Sequence, residues 1–512
     1  MWETVLGAIW RAWWKFTKWC FRKYRQILPA VCLFFAWSNA TNSTEPAGSR
    51  IGGTVIFGGV AILMLLLWQP ALRGKLRREV RIETGAIKGR LPKLARGGAQ
   101  KGIVIGTAVV GVGVKSAQIG PRDNLYVVGP PRSGKTSQVI LPTLLEWRGP
   151  AVATSTRRDV ASALVDAGRP VDLIYIGIGG IGDKLAAHRV SWDLLIGCAD
   201  PSVAARRAKM LVDATSSTDS TGSSYWQTSA TVLLQNLFLA AAALAKDMTE
   251  VLNWLQTGLP DVDAYVDALP ELRPVASYMA SFRHQMTTAS AAAVSTKSVA
   301  ENALSWVNVL PRVIAPYFDI MDFVSSDRTL ALVYESGDAS LAPYFSCLIS
   351  EIYLAGVSIA GDQGGQLNRH LLLALDELAN LAPIADLPSW LSQSAGWGIQ
   401  IMSIFQSTAQ AVGCFGESGA AALRDSSTVK LFLRGVNDQD TIQYLTHLAG
   451  EKVDRVTQIS HSGGQKTIST ARETREVLPA AQIVSLAPGR AIWVEGGRQL
   501  EVIKLKHYKR GK

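Results

Sequence analysis

Residues 129–137 read GPPRSGKTS, that is Gly129, Pro130, Pro131, Arg132, Ser133, Gly134, Lys135, Thr136 and Ser137. Gly129, Gly134, Lys135 and Thr136 match G-x-x-x-x-G-K-[ST], the pattern of a loop that cradles nucleotide phosphates. Each position has a chemical reason. Glycines let the backbone curl until its N–H groups face the phosphates, and a helix opening there adds the positive end of its dipole. Lys135 reaches the β and γ phosphates, and the Thr136 hydroxyl binds Mg²⁺. The flanks agree: the apolar run Leu125 to Val128 comes before the loop and a helical pattern follows it. The cofactors implied are a nucleoside triphosphate, read as ATP, and Mg²⁺.

A second constellation lies far downstream. In HLLLALDELAN, from His370 to Asn380, five apolar residues run directly into Asp376 and Glu377. A fully buried parallel strand has this appearance, and ligands bind at the carboxyl ends of such strands. Asp376 is placed to hold the Mg²⁺ shell, and Glu377 to act as general base on the attacking water. Acids at a strand end can simply meet solvent; beside a phosphate loop they describe a hydrolytic site. A third strand, Gln400 to Phe405, ends at Gln406 and Ser407. Gln406 either senses the γ-phosphate and positions water, or shares with Ser407 the work of capping the next helix.

Other chemistry finds no support. Gly177, Gly179 and Gly182 fit G-x-G-x-x-G, but no helix of normal length follows before Pro201 and no acid ends a second strand, so the stretch reads as a flexible loop. Cys20, Cys32, Cys198, Cys347 and Cys414 are scattered, and the six histidines form no metal-ligand spacing.

Apolar strands that could position these residues recur at Leu125–Val128, Ala151–Ala153, Leu173–Ile176, Leu330–Val333, Leu371–Leu375, Ile399–Phe405, Val429–Leu433 and Ala491–Val494. Several alternate with helical stretches, which predicts an α/β fold with a doubly wound, mostly parallel sheet. The strands fall into two groups, 121–194 and 326–500, forming one nucleotide-binding domain. Between them, residues 195–325 are rich in Ala, Leu and Ser with little strand signal and are read as an inserted all-α domain, with Ser216 to Ser224 as a mobile loop.

The formal charge of +11 is unevenly placed. Residues 1–100 hold sixteen Lys and Arg against four Glu, which leaves 36 basic and 37 acidic residues in the rest of the chain. The positive charge therefore flanks hydrophobic segments and says little about nucleic acid. Ile51 to Trp68 is eighteen residues without a charge, close to the length that crosses a ~30 Å hydrocarbon core. The basic stretch from Arg73 puts the chain after it in the cytoplasm. An earlier apolar run, Ile27 to Trp37, pairs with it in a transmembrane hairpin over residues 27–72 with both ends inside. Residues 1–26 mix tryptophans with basic residues, as a helix at the membrane surface does. Residues 73–120 are read as a basic juxtamembrane linker, and 501–512 as a basic tail. The expected location is the inner membrane, multi-pass, with the ATPase domain in the cytoplasm.

These residues resemble the conjugative coupling proteins of type IV secretion systems, the TraG/TraD class. The likeness rests on the membrane hairpin, on GPPRSGKTSQVILPTLLEW from Gly129, on RVSWDLLIGC, on SYWQTSATVLLQ, and on LDELANLAPIADLPSWLSQSAGWGIQIMSIFQS from Leu375 to Ser407. Where many relatives carry a D-P-K-like turn, this chain has Thr154, Ser155, Thr156, Arg157, Arg158 and Asp159. The resemblance implies a RecA-like domain that assembles as a homo-hexamer around a DNA channel. It carries nucleotide roles over to Lys135, Thr136, Asp376, Glu377 and Gln406. It also implies an arginine supplied by a neighbouring subunit, with Arg424 as the candidate. The implied partners are single-stranded DNA with its relaxase, the channel components and the membrane. Two alternatives stand beside this motor: a double-stranded DNA translocase of the chromosome-segregation type, and a nucleotide-switched docking protein for protein effectors. Arg157, Arg158, Arg206, Arg207 and Lys209 are read either as DNA contacts or as solvated surface charges.

Overall fold

The computed structural model describes residues 103–508 apart from 111–112, 178–179, 216–223, 258–272, 289, 311–315, 336–338, 463–464 and 497–499. The interfacial segment 1–26, the hairpin 27–72 and most of the linker expected over 73–120 lie outside the described residues. So do most of the loop Ser216 to Ser224, Gly179, and the last four residues of the tail.

The described strands are β1 (Ile103–Val110), β2 (Gly113–Ile119), β3 (Leu125–Val128), β4 (Ala151–Ser155), β5 (Val171–Ile176), β6 (Thr329–Tyr334) and β7 (Leu371–Leu375), followed by β8 (Ile399–Phe405), β9 (Val429–Leu433), β10 (Glu451–Ser462), β11 (Gln465–Glu476), β12 (Arg490–Glu495) and β13 (Glu501–Leu505). Eleven of them form one sheet in the order β2-β1-β13-β12-β9-β3-β8-β7-β4-β6-β5. From β9 to β5 every pairing is parallel. Strands β12, β13, β1 and β2 extend the sheet antiparallel beyond β9. Strands β10 and β11 pair only with each other, as a long hairpin.

Both faces of the parallel strands are covered, which explains their unbroken apolar runs. Successive side chains point to opposite faces, and each set joins a different core. Leu125, Val127, Leu372, Ala374, Met402 and Ile404 belong to one. Tyr126, Val128, Leu371, Leu373, Leu375, Ile401 and Phe405 belong to the other. That second core continues without a break through Leu211, Leu233, Leu237, Phe238, Trp254 and Trp306. These residues come from the largely helical chain between β5 and β6, whose main helices are Pro201–Asp213, Ser224–Ala243, Met248–Thr257, Arg273–Thr287 and Ala291–Ala303. The helices therefore pack onto one face of the sheet and share its core.

The helix Ala342–Asp362 is central to this arrangement. Among the described residues it alone has the length and apolar composition to cross a membrane, yet most of it is buried inside the fold. Its Glu351 carboxylate accepts from Arg206 Nε at 2.7 Å and from Arg207 Nη2 at 2.9 Å, while Arg207 Nη1 also donates to the Leu194 carbonyl at 2.6 Å. Burial raises the Glu351 pKa, but the two guanidiniums outweigh it and the net shift is downward.

Two expectations are corrected at the ends of the domain. Residues 103–110 and 113–119 of the expected linker form β1 and β2, and residues 501–505 of the expected tail form β13. The pairing Gly106↔Leu505 joins the two ends of the domain, and no local pattern betrays a partner that distant. The β10–β11 hairpin also went unread, because its sequence runs are mostly polar and carry no sustained apolar alternation; its signal is Gly463-Gly464 between two runs of equal length.

Glu351→Gln leaves Arg207 buried without its counter-charge and is expected to cost about 3 kcal/mol of unfolding free energy. Because the Glu351 pKa is lowered in the fold, its contribution is present above the ordinary glutamate range and is lost as pH falls through the folded value. Chemical unfolding measured from neutral to acidic pH should show the wild-type advantage shrinking on acidification.

Candidate nucleotide site

The phosphate loop begins where β3 ends. Its Gly129 N–H donates to the Phe405 carbonyl at 3.0 Å, tying the loop to the end of β8. A Cβ at Gly129 would meet Ser133 Oγ at 2.6 Å and the Leu433 side chain at 2.7 Å, so only glycine fits between the loop and β9. Gly134 takes φ +100, a left-handed value that turns the chain into the following helix. That helix opens as a π-helical segment, Lys135–Ile140, and continues as the α-helix Leu141–Glu146. Arg132 is also left-handed (φ 63) and Pro131 is exposed, while Pro130, Thr136 and Ser137 are half-buried. Ser133 Oγ is buried and has no hydrogen-bond partner among protein atoms.

Parallel pairing sets β8 between β3 and β7, so the ends of all three meet at one edge of the sheet. Lys135 Nζ lies 3.5 Å from Glu377 Oε1, both side chains being nearly buried. Gln406 Nε2 donates to Glu377 Oε2 at 2.7 Å. Ser407 caps the helix Thr408–Ser426, its hydroxyl accepting from the Gln410 N–H at 3.2 Å. The capping reading thus corresponds to a contact of Ser407, while the Gln406 side chain meets Glu377. Asp376 is buried, with its carbonyl accepting from Thr154 Oγ1 at 2.6 Å and its Oδ1 accepting from the Glu377 N–H at 3.1 Å. Burial pushes the Asp376 carboxyl up to about 7, with Lys135 opposing and the Glu377 charge adding to the rise.

Glu377 itself sits at φ 52, ψ 38, in the left-handed region. A side chain with a Cβ pays roughly 1–2 kcal/mol for that backbone, and such strain is concentrated where function needs a side chain aimed. Here it turns the carboxylate back across the end of β7 toward Lys135 and Gln406.

Not every singled-out residue joins the cluster. Arg424 pairs with Asp425 at 3.0 Å and lies over the Tyr444 ring at 4.7 Å, instead of meeting the phosphate loop of its own chain. The basic residues read as DNA contacts or solvated charges are held by acids of the same chain. Arg206 and Arg207 serve Glu351, Arg158 pairs with Glu335 at 2.9 Å, and Lys209 pairs with Asp213. Arg157 pairs with Asp159 at 3.4 Å and is the most exposed of the five, 78%. Cys198 and Cys347 are free, buried thiols whose pKa burial raises.

The donor set suits a phosphate and a hard cation. An orphaned hydroxyl and a lysine line the loop, and a buried carboxylate stands at the neighbouring strand end. No cluster of three metal-ligating side chains exists among the described residues. That pattern fits Mg²⁺, which takes one or two protein oxygens and fills its shell from phosphates and water.

Fold and site together define a RecA-like α/β P-loop NTPase fold with added helical parts. Residues 370–488 match a family model described as the TraM recognition site of TraD and TraG. The conjugal transfer protein TraG of Agrobacterium fabrum is 24% identical over 356 residues, covering 66% of this chain and 52% of that protein. The conjugal transfer protein TraG of Rhizobium radiobacter is 24% identical over 357 residues, with coverages of 66% and 54%. The chain thus spans about half the length of the curated relatives it matches. Among solved structures, it is similar to the bacterial conjugative coupling protein TrwBdeltaN70 in its unbound monoclinic form, with a TM-score of 0.53 at 20% identity over 75% of this chain and 84% of that one. The plasmid coupling protein TrwB in complex with ADP and Mg²⁺ gives a TM-score of 0.50 at 18% identity, over 76% and 86%. The chain is thus similar to conjugative coupling proteins of the TraG/TraD class.

The left-handed backbone at Glu377 makes a clean comparison possible. Glu377→Ala and Glu377→Gly lose the same carboxylate, but only glycine escapes the steric cost of positive φ. The glycine variant should be more stable by about 1 kcal/mol, the reverse of the usual order. Denaturant unfolding of the two variants, read side by side, would reject this account if alanine were the more stable.

Proposed function

We propose that this chain is a membrane-anchored ATPase that couples relaxase-bound single-stranded DNA to a type IV secretion channel during conjugative transfer, working as a homo-hexamer. The observation that carries the enzymatic half is the meeting of Lys135, Glu377 and Gln406 at adjacent strand ends beside the phosphate loop. Cargo and channel rest on the likeness to TraG proteins. The TrwB relatives solved with an ATP analogue and with ADP and Mg²⁺ support ATP and Mg²⁺ as cofactors.

Within this reading the loop residues Gly129 to Ser137 bind the phosphates, and Lys135 exchanges Glu377 for the phosphate oxygens. Thr136 and Asp376 would hold Mg²⁺, which neutralises charge developing on the transferred phosphoryl group. Glu377, released from Lys135 but still fixed by Gln406, accepts the proton of the attacking water. Arg424 belongs to the same proposal as the arginine lent to a neighbouring subunit, a role that requires it to leave Asp425. The apolar run Ile51 to Trp68, with basic residues from Arg73, supports an inner-membrane anchor and a cytoplasmic ATPase domain.

Glu377→Gln keeps the shape of the side chain but cannot take a proton. It should bind ATP as the wild type does, lose roughly 10²–10⁴-fold in hydrolysis, and abolish plasmid transfer. Transfer undiminished without hydrolysis would sink the motor and leave a nucleotide-switched docking protein. Steady-state hydrolysis with single-stranded DNA, double-stranded DNA or neither then reads the cargo. Stimulation by duplex alone would indicate the chromosome-segregation type of translocase, and no response to either DNA would indicate protein effectors.

A further inference from the structure

Strand β4 reads AVATS, and its first hydroxyl, on Thr154, is buried where the strand reaches the nucleotide edge of the sheet. A buried hydroxyl costs free energy unless it is hydrogen-bonded. Thr154 Oγ1 donates to the Asp376 carbonyl oxygen at 2.6 Å, and that carbonyl belongs to the peptide joining Asp376 to Glu377. We propose that Thr154 is a positioning residue for the hydrolytic step, one that keeps the Glu377 carboxylate aimed by fixing the peptide plane in front of it. The proposal rests on the reading of Glu377 as general base and adds a residue that acts through it.

A peptide unit is planar, so its carbonyl and its N–H turn together. Thr154 holds the Asp376 carbonyl at one edge of this plane, and at the other edge the Glu377 N–H donates to Asp376 Oδ1 at 3.1 Å. The chain beyond Glu377 is held as well: the N–H groups of Asn380 and Leu381 both donate to the Glu377 carbonyl, each at 2.9 Å. With the planes before and after it fixed, both backbone torsions of Glu377 are fixed, at φ 52 and ψ 38. A left-handed backbone is unfavourable for a residue with a Cβ, so contacts must hold it. The side chain that it aims reaches Lys135 Nζ at 3.5 Å and Gln406 Nε2 at 2.7 Å.

Thr154 is itself firmly anchored. The pairing of β4 with β7 ends at Thr154 and Leu375, and Asp376 follows directly. A side-chain donor at that point lets the chain leave the sheet while the Asp376 carbonyl stays satisfied. On its other side Thr154 pairs with Leu332 of β6. Just beyond it the chain is tied down twice more: Ser155 Oγ accepts from the Arg157 N–H at 3.1 Å, and Arg158 Nε donates to Glu335 Oε1 at 2.9 Å. Branching at Cβ restricts the side-chain torsion of threonine, which keeps the hydroxyl pointed one way. Valine has the same shape without the donor, and serine has the donor on a looser torsion.

The test uses the full chain in detergent, with Mg-ATP binding measured by titration calorimetry and hydrolysis in the steady state. Thr154→Val should bind Mg-ATP within about twofold of the wild type yet lose roughly tenfold in kcat, and Thr154→Ser should recover most of that loss. In a Glu377→Gln background, where the carboxylate is already gone, adding Thr154→Val should lower the residual hydrolysis by no more than about twofold. A further readout needs no turnover. The stability gap between Glu377→Gly and Glu377→Ala, from denaturant unfolding of the nucleotide-free chain, should shrink by roughly half or more in a Thr154→Val background, because a released peptide lets the left-handed turn relax. Wild-type kcat in Thr154→Val, Mg-ATP binding weakened as much as kcat, or the same loss of hydrolysis in the Glu377→Gln background would each overturn the positioning role. An unchanged stability gap would overturn it too. Should Thr154→Val fail to fold, Thr154→Ala lacks the same donor and carries the same expectations. If Glu377→Gln hydrolysed ATP at the wild-type rate, the general-base reading would fall instead, and the stability gap would still decide whether Thr154 holds the turn.

Discussion

The site depends on one packing decision, the placing of β8 between β3 and β7 in a parallel sheet. With that order, a lysine after one strand, a glutamine after the next and a glutamate after the third share a few ångströms at the same edge. The Lys135–Glu377 contact is the visible result, and it is a contact between nearly buried charges. Such a pair is held only where the surrounding fold satisfies it, and here Gln406 supplies the remaining hydrogen bond. The same contact sets the Lys135 ammonium directly against the Glu377 carboxylate.

The helical chain between β5 and β6 is bound to this arrangement through a common core. Its Leu233, Leu237 and Phe238 belong to the cluster that contains Tyr126 and Phe405 on the strands flanking the phosphate loop. Arg206 and Arg207 reach from the same chain segment to Glu351 on the buried helix Ala342–Asp362. A displacement of the helices would have to break that ion triad or open the core beneath it. The helices and the nucleotide edge are therefore mechanically coupled in a way that two separately cored domains would not be.

Backbone strain and burial set the electrostatics of the site. Glu377 is aimed by a left-handed backbone, and Asp376 is driven toward neutrality by burial against the opposing charge of Lys135. Both features belong to the end of β7. The sheet does not stop at the nucleotide edge: β12 and β13 carry it further and bring a cavity to the other flank of the same loop.

Much of this was legible in the linear chain because the signals are local. G-x-x-x-x-G-K-[ST] after an apolar run, acids ending a second run and an amide ending a third are each readable within about ten residues. The parallel strands announced themselves through unbroken apolar stretches, since both of their faces are buried. What needed the tertiary structure was everything decided at long range. Strands β1 and β13 pair across nearly the whole domain, so residues that look like a linker and a tail are sheet. The basic residues at Arg158, Arg206 and Arg207 look available to nucleic acid until their acidic partners arrive from the residue just after β6 and from a later helix. Strand order, charge pairing and shared cores are properties of which segments meet, and a sequence states only which segments exist.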